Sequence, residues 1–122
     1  MNPLDYGTRE VCEKLFKAGI VLETEAVWFY GTNGKWHLGE GWLAQHAADK
    51  YPAVSMSEVW RELPQEYTDD ELVGSLMLWK EDKFTAVGYW WHDQCRISVR
   101  NLNPTNALIA LRIWLEERKE GT

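Results

Sequence analysis

The 122-residue chain has no apolar stretch near the ~20 residues that a membrane-spanning helix needs. Its first ten residues, MNPLDYGTRE, have neither the basic start nor the apolar segment of a signal peptide. We therefore expect a cytoplasmic protein with no membrane partner. The length predicts a single domain, residues 1–122, that buries roughly two-thirds of its unfolded surface in one core.

Cysteine is scarce, and basic residues are fewer than acidic ones. Cys12 and Cys95 are too few for the multi-disulfide framework of a small secreted protein, so reduced thiols are favoured and a single disulfide between them is the alternative. Lys and Arg number 13 against 19 Asp and Glu, which gives a net charge of −6. Because affinity for nucleic acid depends largely on clustered Lys and Arg, we expect no nucleic-acid partner.

Motifs for metal binding and catalysis are also lacking. His92, Asp93 and Cys95 lie close together in YWWHDQC, but no C-x-x-C or H-x-x-x-H pair completes a four-ligand zinc site. Polar residues with Asp at the bend are typical of a hairpin loop, so a turn between two strands explains HDQ. Cys95 alternates with Ile97 and Val99, so we expect it to face inward, where cysteines are usually inert. The sequence therefore predicts no metal, no cofactor, no catalytic residue and no enzymatic activity.

Capping signals and apolar periodicity predict three helices. Thr8 is placed to cap the first through its hydroxyl, and Gly19 to end it. Ser55-x-x-Glu58 has the spacing of a capping box for a central helix. Asn103, followed by proline at the first helical position, opens a C-terminal helix with a clear apolar stripe.

Strand patterns fall into two groups. EAVWFYG, a GTNG turn and KWHL predict a hairpin, and LVGSLMLWK, FTAVGYWW and CRISVR predict a three-stranded antiparallel meander. In the middle strand Trp90 points to one side and Trp91 to the other. Both sides are apolar, so either both faces of the sheet are covered or one is an interaction surface. The fold class is α+β, an α/β sandwich in which the N-terminal, central and C-terminal helices cover a mostly antiparallel sheet.

Two segments have no clear periodicity. Residues 39–52 fit either a short helix or an irregular excursion, because an Ala-rich centre is flanked by glycines and Pro52. QEYTDDE belongs to an acidic cluster that begins at Glu58, and we expect it to be a solvated linker.

Eight tryptophans are the compositional outlier. Trp60 and Trp114 lie on helical apolar stripes and are predicted to be in the core, whereas Trp36 and Trp42 are predicted to be exposed. Exposed aromatic side chains can anchor a protein partner or stack on a nucleotide. The candidate ligand- or partner-binding residues are Trp36, His37, Trp42, Trp91 and His92.

Three stretches, PAVSMSEVWRELPQEY, FTAVGYWW and NPTNALIALRIWLEERKEG, resemble in this order small uncharacterised proteins of bacteriophages and prophages. The layout is also similar to the phage ABA sandwich domain. The resemblance covers about residues 52–120 and carries no catalytic residue. It implies a non-enzymatic accessory protein in the cytoplasm of a bacterial host, which binds a host or phage protein.

Two alternative functions and the oligomeric state stay open at this point. The first alternative function is a small-molecule or nucleotide-binding protein with an aromatic pocket around Trp36, Trp42 and Trp91. The second is an acidic mimic of DNA, based on the acids between Glu58 and Glu71. Homodimerisation is compatible with each function, because a small sheet with two apolar faces can use a second copy to cover one of them.

Overall fold

A computed structural model describes residues 2–45, 47–69 and 71–120. Within them the predicted α+β class is confirmed by helices packed with antiparallel sheets. The helices are α1 (Arg9–Lys17), α2 (Met56–Trp60) and α3 (Pro104–Glu120), and short 3-10 helices cover Pro3–Asp5 and Gly41–Ala44. The strands are β1 (Ala26–Tyr30), β2 (Trp36–Glu40), β3 (Lys50–Ala53), β4 (Glu66–Asp69), β5 (Leu72–Glu81), β6 (Phe84–Trp91) and β7 (Gln94–Asn101).

The strands form two sheets, with the orders β2-β1-β3 and β4-β5-β6-β7. The predicted hairpin and meander are both present, but they belong to different sheets. Each sheet also has a strand that the sequence did not predict. β3 lies in the segment 39–52 and contains Pro52, which is tolerated because β3 is an edge strand. β4 pairs with β5 along the predicted acidic linker, so the linker prediction is wrong.

Helix α1 ends as predicted but begins differently. Gly19 has a φ of +86°, and its N–H donates to Phe16 O while the Ile20 N–H donates to Leu15 O, the pattern of a Schellman motif. The Thr8 hydroxyl does not cap the helix. It accepts a hydrogen bond from Asn106 Nδ2 at 3.3 Å, and the Thr8 N–H donates to Asn106 Oδ1 at 2.9 Å. The Thr8 hydroxyl is therefore bonded to a side chain of α3 and not to the first turn of α1.

The caps of α2 and α3 are confirmed. The Ser55 hydroxyl accepts from the Glu58 N–H, and the Glu58 carboxylate accepts from the Ser55 N–H at 2.8 Å, which is the predicted capping box. Asn103 Oδ1 accepts from the Asn106 N–H at 3.1 Å. Trp60, however, is exposed, so its prediction as a core residue is wrong. Helix α2 is only five residues long and turns Val59 inward instead.

One cluster of buried side chains connects the helices with the four-stranded sheet. Helix α1 contacts β3 on one side and α3 on the other, and α3 contacts β6 and β7, so a helical layer lies between the two sheets. Trp28 of β1 and Trp114 of α3 are partly buried against the cluster. Its fully buried members include Leu15, Val54, Val59, Val87, Tyr89, Leu108, Ile109 and Leu111.

Trp91 lies on the side of β6 that α3 covers and is only 5% exposed. The Tyr67 ring packs edge-on against it, with centroids 6.4 Å apart. Gly74 of β5 lies directly beneath, and a Cβ atom there would come within 2.7 Å of the indole. Nearby, the Tyr89 hydroxyl donates to Pro64 O at 2.7 Å, and desolvation by burial raises the pKa of Tyr89 to about 12, so the group stays protonated at neutral pH.

We expect Gly74→Ala to destabilise the protein by about 1–3 kcal/mol, because the added methyl group displaces the Trp91 ring from a packed site. The measurement is the urea midpoint of unfolding. Gly41→Ala is the matched control, since no atom lies within 4 Å of a Cβ built at that position. Equal midpoints for the two variants would contradict the proposed fit between Gly74 and Trp91.

Candidate functional site

The five candidate residues from the sequence do not form one site. Trp91 is in the core, and Trp42 is exposed on the 3-10 helix, where its Nε1–H donates to the Glu40 carboxylate. Trp36 and His37 are consecutive in β2, so their side chains point to opposite faces of the three-stranded sheet. His92 lies in the turn between β6 and β7.

Trp36 is part of a packed cluster between α1 and the three-stranded sheet. The Arg9 guanidinium lies 5.0 Å from its ring centroid, Tyr51 stacks on it at 5.8 Å, and Tyr30 packs edge-on at 5.5 Å. Glu13 joins this cluster to α1 by accepting from the Tyr51 hydroxyl at 3.0 Å and from Arg9 at 2.7 Å. The ring is therefore half-buried and held by its neighbours, contrary to the prediction of an exposed tryptophan.

His37 lines a cavity of about 520 Å³ beside the β1–β2 turn. Its ring centroid is 5.6 Å from that of Phe29, and its Nε2 is 3.0 Å from Asn33 Oδ1. Gly31 allows this arrangement, because a Cβ there would lie 2.7 Å from the imidazole. The lining residues are Phe29, Tyr30, Gly31, Thr32, Asn33, His37 and Ala47, so the pocket predicted around the three tryptophans is not assembled here.

The four-stranded sheet has a second apolar surface, on the side away from α3. The register places Trp79 opposite Ala86, Met77 opposite Gly88 and Ser75 opposite Trp90, and this side alternates with the one that carries Tyr89. Val73 is 54% exposed and Met77 47% exposed. We call this surface the outer face, and its apolar members are Val73, Met77, Trp79, Phe84 and Trp90.

Two tryptophans form the centre of the outer face. The rings of Trp79 and Trp90 meet edge to face, with centroids 5.6 Å apart and planes at 81°. They can meet because Ala86 and Gly88, on the same face of β6, have little or no side chain. Trp79 Nε1 donates to the Glu81 carboxylate at 2.7 Å, which fixes the orientation of that indole. Both rings are therefore held in place and remain partly exposed.

The charged groups of the outer face lie at its edges. Arg100 of β7 forms an ion pair with Glu81 of β5, with Nε and Oε2 2.6 Å apart, and its hydrogen bond lowers the pKa of the Glu81 carboxyl. Glu66 lies on β4, opposite Ser75. Among the residues that the described register assigns to this face, these are the charged ones. The centre of the face is uncharged.

His92 and Cys95 lie at one end of the outer face. His92 lines a depression of about 420 Å³ there with Val73, Ser75, Met77 and Trp90, and its φ is +57° in the turn between β6 and β7, which the sequence predicted over HDQ. The register shifts between Tyr89 and Trp90, which pairs Cys95 with Trp90. Because of this β-bulge, Cys95 lies on the side of Trp90 whereas Ile97 and Val99 pack against the core, so the prediction that Cys95 faces inward with them is wrong. Cys12 and Cys95 are both free thiols.

Of the residues on or beside the outer face, the sequence indicated His92 as a candidate and missed Val73, Met77 and Phe84. The sequence signal that could have found this face was the apolar character of both sides of β6. Within residues 2–45, 47–69 and 71–120, no three His, Cys, Asp or Glu side chains are close enough to hold a metal ion. His46 and Asp70 lie outside the described residues. No helix in the described part of the chain is long and apolar enough to cross a membrane.

The chain matches no protein-family model, and neither a curated protein nor a solved structure is significantly similar to it. The resemblance to phage and prophage proteins therefore stays a prediction. The geometry of the outer face is the observation on which a function can be argued.

We expect Glu13→Gln to lower stability at neutral pH and to have little effect in strong acid. Hydrogen bonds from Lys17 and then Tyr51 lower the pKa of Glu13 in the folded protein, so its stabilising contribution is present above the unfolded-state pKa and disappears as the pH falls through the folded-state value. Urea unfolding across the acidic range measures this difference. Parallel pH profiles for wild type and variant would show that the cluster at Trp36 does not depend on this carboxylate.

We expect His92→Gly to stabilise the protein by roughly 0.5–1 kcal/mol, because glycine adopts a positive φ without the steric cost that a residue with a Cβ meets. Asp93→Gly is the control. Asp93 does not have a positive φ, so glycine there only adds freedom to the unfolded chain and lowers stability. Thermal unfolding should therefore give shifts of opposite sign, and shifts of the same sign would contradict the prediction.

Proposed function

We propose that the chain is a non-enzymatic accessory protein of the phage or prophage kind, which acts in the cytoplasm of its bacterial host by binding a protein through the outer face. One observation carries the proposal: Val73 and Met77 are about half exposed beside two ordered tryptophans, on the side of the sheet away from α3. Contiguous apolar surface of this kind is typical of protein-interaction sites.

The residue types of the outer face, and the way in which its tryptophans are held in place, support protein binding. Aromatic residues and methionine are enriched at the centres of interfaces, and tryptophan is a frequent hot spot. Trp79 is already held by Glu81 and by the Trp90 ring, so little side-chain entropy is lost when a partner covers it. The ion pair of Glu81 with Arg100 adds a polar edge beside this apolar centre.

The shape of the outer face favours a protein over a small molecule. Ligand sites are usually concave and bury most of the ligand, whereas the depression of about 420 Å³ beside His92 takes up one end of the open side of a four-stranded sheet. It also differs from a mimic of DNA, because its centre has no charged side chain and Glu66 lies at the β4 edge. We therefore expect apolar contacts at the centre of the outer face to supply the binding energy, while the acidic side chains lie at its edge.

Site-specific photocrosslinking tests the proposal. Phe84→p-benzoylphenylalanine keeps an aromatic side chain on the outer face, and ultraviolet light applied to expressing bacteria should then link position 84 to a protein that mass spectrometry identifies. Val21→p-benzoylphenylalanine is the matched control, because Val21 is 67% exposed and lies between α1 and β1, away from this sheet.

The expected result is an adduct that forms from position 84 and is absent from position 21. Equal adducts from the two positions, or none from position 84, would contradict binding through the outer face.

A further inference from the structure

We propose that the protein bound by the outer face is a second copy of this chain, so that two four-stranded sheets pack face to face. This inference rests on the proposed function, because it names the partner of the same surface. Three properties support it: the size of the face, its twist, and the distribution of its charges.

The area of the outer face is suited to a stable dimer. Three strands about 4.8 Å apart, each with about eight paired residues rising about 3.4 Å, give roughly 14 by 27 Å, and the four residues of β4 widen one end, for about 450 Å² in projection. Exposed side chains such as Val73 and Met77 make its accessible area larger than this projection. A standard interface covers about 800 Å² of accessible surface on each partner, which is comparable to this whole face.

Twist is the second argument. β-sheets have a right-handed twist, and two sheets pack closely only when their twists match, with their side chains interdigitated. A second copy supplies the same four strands with the same twist. In such a pair the Trp79 and Trp90 rings of each copy lie over the small residues and methionine of the other, and the apolar centre leaves water.

Charge is the third argument. The chain has a net charge of −6, so two copies repel each other in most orientations. The outer face reduces this repulsion, because its centre is uncharged, Glu81 is neutralised by Arg100, and Glu66 lies at the β4 edge. Met77 lies in the middle of β5 opposite Gly88, so the inferred face-to-face pair has its two-fold axis close to this residue. A charge at position 77 would therefore meet the same charge in the second copy.

Sedimentation velocity of the purified chain over a concentration series, up to the sub-millimolar range, tests the inference. We expect wild type to form a dimer and Met77→Lys to raise the dimer dissociation constant at least about 30-fold. Val21→Lys is the control, and it should leave the dimer unchanged because Val21 is exposed away from the outer face. Near-ultraviolet circular dichroism verifies that each variant is folded.

A mixture of two variants distinguishes self-association from a general loss of binding. Met77→Lys and Met77→Glu should each be monomeric alone, and mixing them should restore dimers because opposite charges then meet near the axis. A monomeric wild type, a Met77→Lys variant that still dimerises, or a mixture that stays monomeric would each overturn the inference. If wild type is monomeric while position 84 cross-links to a different protein, the inference fails and the proposed function stands.

Discussion

The packing of α3 on one side of the four-stranded sheet determines how the other elements are placed. Leu108 and Leu111 of the helix are buried in the same cluster as Val87 and Tyr89 of β6. The start of α3 is tied to the N-terminal segment, since Asn103 Nδ2 donates to Tyr6 O at 3.1 Å and Asn106 bonds with Thr8. These polar contacts hold α1 beside α3 and bring the three-stranded sheet with it. Because α1, α2 and α3 share one side of the four-stranded sheet, its outer face remains open to solvent.

Local signals in the sequence were sufficient for the elements whose hydrogen bonds close within a few residues. The Ser55–Glu58 capping box and the Asn103 cap are such cases, and so is the turn at His92. The strands β3 and β4 depend instead on distant partners, β1 and β5, which supply the pairing that their own residues do not indicate. Pro52 has the character of a strand breaker until the neighbouring strand shows that it lies at a sheet edge.

The candidate site was less predictable than the fold, for two physical reasons. The alternation of β6 shows that Trp90 and Trp91 point to opposite sides, but both sides are apolar, so the pattern alone does not decide which side α3 covers. In the structure the Trp91 side is the covered one, and Gly74 of β5 leaves the space that the Trp91 indole fills there. The surroundings of Trp36 and His37 depend on α1 and on the β1–β2 turn, which the pattern of β2 alone does not indicate. The bulge at Trp90 likewise moved Cys95 out of its simple alternation.

The central claim is that α3 packs over β6 and β7 on the Trp91 side of the sheet and leaves the Met77 side open. Hydroxyl-radical footprinting of the dilute, monomeric protein tests it directly, because Met77 and Met56 have the same intrinsic reactivity and differ in their surroundings. Met77 is exposed on the outer face, whereas Met56 packs against the core. We predict faster oxidation of Met77 than of Met56, together with protection of Trp91. Oxidation of Met77 at or below the rate of Met56 would contradict an open outer face.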